Sequence, residues 1–334
     1  MPHVPDGSSC RRRAGVFLAL VFFAVPGLPA AQYDLRVLSD PSFLPWQGEI
    51  MGTSSYVNAD TNEGTENYLS HTRDTRVISS NQWAQTFSFG LTDDLALRLG
   101  DTLVLQEDTT TPVNGPSETT YSQGPVDPTV GATWRVVDED EGYDAQGHFN
   151  WDWILSYSPN LFEDQAASPT EDGTNGRGGE SASLGTALSW VSPDFTLYWE
   201  YLANYLGERD TTNADGTTTD YGSYVQNSFG LNTQTRFTRR FSLNAGVTGY
   251  WNGGYTGQNQ NTGAGFVVGG GNEIAFNAAL NFHFVPRVLV GSLTYANDVY
   301  SNRSYAYPAN PTNSTTTVNE DVNVFGVRLE YLFL

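Results

Sequence analysis

From Phe325 to Phe333 every second residue is large and apolar: Phe325, Val327, Leu329, Tyr331 and Phe333. Gly326, Arg328 and Glu330 lie between them, and Leu332 is the one apolar exception. Successive side chains of a strand point to opposite faces, so this stretch has one apolar face and one mostly polar face. Such a strand has two homes. In a sandwich the apolar face meets a core; in a closed barrel in a bilayer it meets lipid, while the polar face lines a watery lumen.

Joint length decides between them. The pattern places strands at about 49–59, 76–90, 95–106, 128–137, 147–158, 181–191, 195–206, 222–236, 241–252, 273–284, 288–300 and 322–334. These reach or slightly exceed the roughly nine to eleven residues a tilted spanning strand needs. Short joints fall at Leu91–Asp94, Asp138–Gln146, Ser192–Asp194, Phe237–Arg240 and Val285–Arg287. Long joints rich in Thr, Asn, Gly and Asp fall between them, at 60–75, 107–127, 159–180, 207–221, 253–272 and 301–321. A sandwich has no reason to keep that alternation, whereas a barrel with one rim of turns and one of loops requires it. The expectation is an all-β fold, a transmembrane antiparallel up-and-down β-barrel of about twelve strands with short periplasmic turns and long extracellular loops.

Other strands repeat the pattern. Phe149, Trp151, Trp153, Leu155 and Tyr157 form one apolar face, and Ile274, Phe276, Ala278, Leu280, Phe282 and Phe284 another. Phe149, Phe195, Phe241, Trp251 and Phe284 stand near strand ends, where rings sit at headgroup level. The third strand is less regular. Asp101 shares parity with Leu97, Leu99 and Leu103, which points either to a position beyond the hydrocarbon band or to a bulge at Gly100.

Arg11, Arg12 and Arg13 precede the apolar run Ala14–Val25, and Leu28-Pro29-Ala30-Ala31 follows. This is the layout of a secretory signal peptide over residues 1–30, cut after Ala30 or Ala31, and the run is too short to span a bilayer as a helix. Residues 31–334 then form a single barrel domain. Cys10 leaves with the leader, so the mature chain has no thiol or disulfide chemistry. All sixteen basic residues are arginine; against 37 acids they leave a formal net charge of −21. Nucleic acid is excluded as a partner by that charge. A mean hydropathy of −0.38 fits a barrel, half of whose strand residues face water.

The polar parity lists the lumen: Arg98, Arg135, Asp152, Glu200, Arg236, His283, Arg328 and Glu330. Most belong to the half of the barrel near the short turns, and Arg135 and Asp152 lie on neighbouring strands at similar depth. Arginine and carboxylate satisfy one another in a narrow space, so the expectation is a charged belt constricting the lower pore.

Catalysis requires a nucleophile and a base. His71, His148 and His283 carry no motif around them that would make them catalytic, and no plug domain is recognisable. The run from Thr211 to Gly222 fails as a calcium loop at its first and twelfth positions, and no metal or cofactor is expected. Two glycosylation sequons, at Asn302 and Asn313, read as incidental in a bacterial exported barrel.

Three segments carry a resemblance. The closing strand, with Phe325, Val327, Leu329, Tyr331 and Phe333, resembles the C-terminal signal of outer-membrane barrels, although Leu334 follows the aromatic. Phe87-Ser88-Phe89-Gly90-Leu91-Thr92-Asp93-Asp94-Leu95 and Gly124-Pro125-Val126-Asp127-Pro128-Thr129-Val130-Gly131-Ala132-Thr133-Trp134-Arg135 are similar to segments of the outer-membrane transporter family related to the meta-pathway phenol-degradation protein. The resemblance implies passive passage of small organic molecules, aromatic ones among them, across the bacterial outer membrane. Its partners would be outer-membrane lipid, the barrel-assembly machinery and the solute, and no catalytic residue comes with it. The alternatives are a hydrolase anchored on a barrel and a closed barrel working through its acidic loops.

Overall fold

Thr, Val, Tyr and Phe recur at period two along most of the chain, and the chain answers with strands. The computed structural model describes residues 38–333 apart from 68, 72, 112–117, 139–146, 169–171, 214, 286, 302 and 310–313. The leader, with Cys10, and Leu334 lie outside the described residues, as do Asn302 and Asn313. Among the described residues twelve long strands carry the wall: β1 (Ile50–Asn67), β2 (Arg73–Thr92), β3 (Leu95–Thr111), β4 (Glu118–Asp138), β5 (His148–Ser158), β7 (Gly179–Val191), β8 (Phe195–Thr212), β10 (Tyr224–Thr238), β11 (Phe241–Asn252), β14 (Gly271–Val285), β15 (Leu289–Ser301) and β17 (Thr315–Phe333). Five short ones accompany them: β6 (Asp164–Gln165), β9 (Thr218–Tyr221), β12 (Tyr255–Asn259), β13 (Gly265–Val268) and β16 (Ser304–Ala306).

Each long strand pairs antiparallel with the next, and β17 returns to pair with β1 from Ile50↔Phe333 to Asn67↔Thr315. Closure leaves no edge. The Tyr331 ring lies over Gly52, its partner across this seam, where a Cβ would not fit.

Burial is inside out relative to a water-soluble protein. Leu155, Leu184, Phe276 and Leu293 are more than half exposed, whereas Gln234, Asn281, Ser242 and Thr196 have no exposure at all. The apolar faces therefore point outward and the polar faces inward, as lipid outside and lumen inside demand. Phe241, Trp251 and Phe284 are exposed on that outer face, and Phe149 and Phe195 partly so.

The long joints contain more strand than loop. β1 and β2 run on as a hairpin to residues 67 and 73, and β3 and β4 to 111 and 118. On the other side, β9 continues into β10, β11 into β12, β13 into β14 and β15 into β16, each broken at one common level but keeping the same neighbours. Hydrogen bonds cross the break from Gly222 N to Thr256 O (2.7 Å), Gly253 N to Val225 O (2.8 Å) and Gly269 N to Ser304 O (2.8 Å). A Cβ on Gly270 would stand 2.6 Å from the Asn252 carbonyl, so the kink there needs glycine. Between β4 and β8 the wall is filled by a Ser122–Gly173 bridge and by β6 against β8. The upper wall is thus a second storey of the barrel. Thr, Asn and Gly indicate exposed backbone, and here that backbone pairs with neighbouring strands.

β3 carries a bulge of its own at Leu105, but at Asp101 the irregularity lies in the partner strand. The β3–β4 register shifts between Gly100 and Thr102, opposite Asp127 and Pro128, while Asp101 stays exposed. Proline has no N–H to give the ladder and fits at such a bulge.

Candidate functional site

The chain ahead of β1 enters the barrel at the end with the short turns. Leu38 and Phe43 are buried against Val290 and Leu332, with Met51 beside them. Leu332, the apolar exception in the last strand, is thereby accounted for: it faces inward and packs against this segment. Val191 is a second apolar residue on an inward polar face, 3 % exposed, beside Phe43 and Ser42.

Polar contacts hold the segment more than apolar ones do. Asp40 takes hydrogen bonds from Arg236 Nη2 (2.8 Å) and Thr196 Oγ1 (2.5 Å) on one oxygen, and from Ser42 N (2.9 Å) and Oγ (2.6 Å) on the other. Gln234 donates to Ser39 Oγ at 2.8 Å and Asn244 to the Ser39 carbonyl at 2.7 Å. Arg135 donates to the Ser42 carbonyl at 2.7 Å. Further along, Glu49 accepts from Arg287 Nη2 at 2.7 Å, and the Arg287 guanidinium lies 3.5 Å from the Trp46 ring centroid. Charge-assisted bonds of this kind are worth roughly 1.5–3 kcal/mol each.

The eight expected lumen residues meet partly in direct pairs and partly through residues between them, as where Arg236 Nε donates to Gln234, which donates to Ser242 beside His283. Arg135 and Asp152 are joined, Nε to Oδ1 at 2.9 Å and Nη2 to Oδ2 at 3.1 Å, both buried. Arg328 and Glu330 approach to 3.4 Å on one strand. Arg236 pairs with Asp40 and also donates to the Pro193 carbonyl at 3.0 Å. Glu200 accepts from Tyr198 at 2.8 Å, and Arg98 on β3 is within electrostatic reach of that same tyrosine on β8, two strands that are not neighbours. His283 Nε2 lies 3.0 Å from Ser242 Oγ.

Sequence reasoning missed Asp40, Glu49, Arg287 and Gln234. The available signal was the apolar Val191, Val290 and Leu332 on faces that are otherwise polar. Both segments that carried the family resemblance serve this end of the barrel. Gly90 lies against Trp46 so closely that a Cβ would meet its carbonyl, and it exchanges hydrogen bonds with Gly48 (2.8 Å) and Glu49 (3.0 Å). Asp93 accepts from Gln47 N at 3.0 Å. In the second segment Arg135 reaches Ser42. Asp127 accepts from the backbone N–H groups of Leu161 (2.7 Å), Phe162 (2.9 Å) and Arg177 (2.8 Å), fixing the chain that closes the upper wall.

The three histidines do not converge. His71 is exposed at the far hairpin tip beside Glu66 (2.9 Å), whereas His148 and His283 are buried near the turns. Ser242 next to His283 is fully buried and accepts from Asn281 at 3.0 Å, a geometry for filling space rather than for attacking a substrate. Among the described residues no three His, Cys, Asp or Glu gather as metal ligands. Asp215, in the run resembling a calcium loop, binds the backbone N–H and hydroxyl of Thr217 instead (2.9 and 2.7 Å).

No family model matches the chain, and no curated protein matches it in sequence. Among solved structures, the COG4313 outer membrane channel from Pseudomonas putida F1 is similar over 88 % of this chain and 99 % of its own, with 14 % identity and a TM-score of 0.55. More distant are the transport unit of the autotransporter AIDA-I from Escherichia coli, with 13 % identity, 88 % and 95 % of the two chains covered and a TM-score of 0.47, and the TodX monoaromatic hydrocarbon channel, with 9 % identity, 89 % and 94 % covered and a TM-score of 0.42. The first of these likenesses bears out the fold: the chain is an up-and-down β-barrel of the outer-membrane kind.

Proposed function

We propose that this barrel is a bacterial outer-membrane channel for passive passage of small organic molecules, aromatic ones among them. The turn end faces the periplasm, and its lumen is narrowed there by residues 38–49 together with the inward charges. The observation that carries the reading is the lumen itself: a closed ring with a polar inner face whose one end is occupied by a chain segment held largely through hydrogen bonds and ion pairs. Buried charge-assisted contacts of this kind hold a segment in place while keeping its surroundings polar, which fits a constriction in a watery lumen better than an apolar core. The solute class follows from the resemblance of the two segments above. Reconstitution in a planar bilayer tests the reading. A folded barrel should carry a small steady current that phenols or aromatic acids reduce from one side. A folded barrel that stays silent with the segment displaced would leave it a closed surface protein.

A further inference from the structure

The loop end of the lumen holds an arginine with unused hydrogen-bonding capacity inside an aromatic enclosure. Arg209, near the top of β8, places its guanidinium 4.7 Å from the Tyr221 ring centroid and 5.9 Å from that of Tyr255. Tyr224 stacks on Tyr255 at 4.9 Å with 22° between planes, and Phe266 meets Tyr221 edge-on at 5.6 Å. These rings face inward, because their strand neighbours Val225 and Val267 are the exposed ones, at 46 % and 43 %.

Arg209 Nε is buried and has no hydrogen-bond partner among the described residues. Its facing carboxylate, Asp164, accepts a hydrogen bond from the Thr211 hydroxyl at 2.6 Å and interacts with Arg209 only through space. Arg303 and Arg177 also lie within electrostatic reach of Tyr224, with Glu320 near Arg303. In a chain of net charge −21 this end of the lumen gathers three guanidiniums among tyrosines, with Asp164 and Glu320 beside them. A buried donor without an acceptor is costly, and a guanidinium fork matches a carboxylate. Ring faces on either side would take a planar ring by stacking.

We infer that the loop-end lumen is a binding site for aromatic carboxylates, with Arg209 receiving the carboxylate and Tyr221, Tyr224 and Tyr255 receiving the ring. This rests on the channel reading and names its solute class.

Calorimetric titration of the full chain in detergent micelles tests it, with benzoate, benzyl alcohol and cyclohexanecarboxylate as probes. Benzoate should bind at least tenfold tighter than either analogue. Arg209→Gln should remove that margin over benzyl alcohol, while Arg209→Lys keeps part of it and Tyr255→Leu weakens benzoate but not cyclohexanecarboxylate. Heat-modifiable gel migration confirms that each variant is folded. Equal binding of benzoate and benzyl alcohol, or benzoate binding unchanged in a folded Arg209→Gln, overturns the site. Bilayer current on the same preparations separates the two claims: current without benzoate selectivity overturns the site and spares the channel, and Arg209-dependent binding without current supports the site and overturns the channel.

Discussion

Arg135 and Asp152, cross-strand partners on β4 and β5, form a two-point ion pair at 2.9 and 3.1 Å, and the same guanidinium donates to the carbonyl of Ser42 at 2.7 Å. One residue thus ties the wall to itself and to the segment inside it. Arg135→Ala leaves Asp152 buried and uncompensated, which should cost about 3–5 kcal/mol. The paired change Arg135→Met with Asp152→Leu should recover much of that stability without restoring the tie to Ser42. Loss of heat-modifiable migration on a temperature ramp measures the first effect. A double variant no more stable than Arg135→Ala contradicts it.

Asp40 collects four hydrogen bonds, two of them from Arg236 and Thr196 on the wall. Asp40→Ala removes the acceptor but leaves Arg236 its bond to the Pro193 carbonyl. The barrel should stay folded while residues 38–49 become accessible to protease from the turn end. Protection equal to that of the unaltered chain would mean that the segment is held elsewhere.

Gly90 touches the segment from the wall. Gly90→Val has no room for its side chain beside the Trp46 carbonyl, so the segment should lift there while the β1–β2 and β2–β3 ladders persist. Increased Trp46 quenching by acrylamide in a folded variant is the expected readout, and unchanged quenching contradicts it.

Two loop-end carboxyls should respond to pH with opposite sign. Burial pushes the Asp164 carboxyl above its usual range, against the Thr211 hydrogen bond and Arg209. Its ionised form therefore costs stability at neutral pH, and the cost vanishes as pH falls below the unfolded value of about 4. The hydrogen bonds from Thr217 hold the Asp215 carboxyl below that range. Its contribution is present above the unfolded value and is lost as pH falls through the lowered one. On acidification from about pH 7 to about pH 4, amide exchange at Ala166, bonded to the Thr212 carbonyl, should slow after correction for intrinsic rate. Below that range, exchange at Thr217, whose N–H Asp215 accepts, should accelerate. Asp164→Asn should abolish the first change. Parallel changes at both amides contradict the assignment.

The wall was legible because lipid and lumen impose opposite polarities on adjacent residues. The pattern at Phe325–Phe333, or at Phe276, Leu280 and Phe284, reports that boundary directly. Twelve long strands and their order follow from it. Less legible was whatever depends on pairing between distant segments. Thr-rich stretches such as Thr109–Thr111 and Thr218–Tyr221 have the composition of open loops, yet they find partners in the second storey. The inward charges could be named from parity, but their grouping could not. Arg236 answers to Asp40, 196 positions away, and Arg287 to Glu49, 238 away. Only the closed barrel brings them together.

Single-channel conductance of the full chain against its Asp40→Ala, Glu49→Gln double variant tests the central claim most directly. With the two carboxylate anchors of residues 38–49 removed and the barrel still heat-modifiable, conductance should rise several-fold. Equal conductance in the two proteins, or silence in both, would contradict a channel narrowed by that segment.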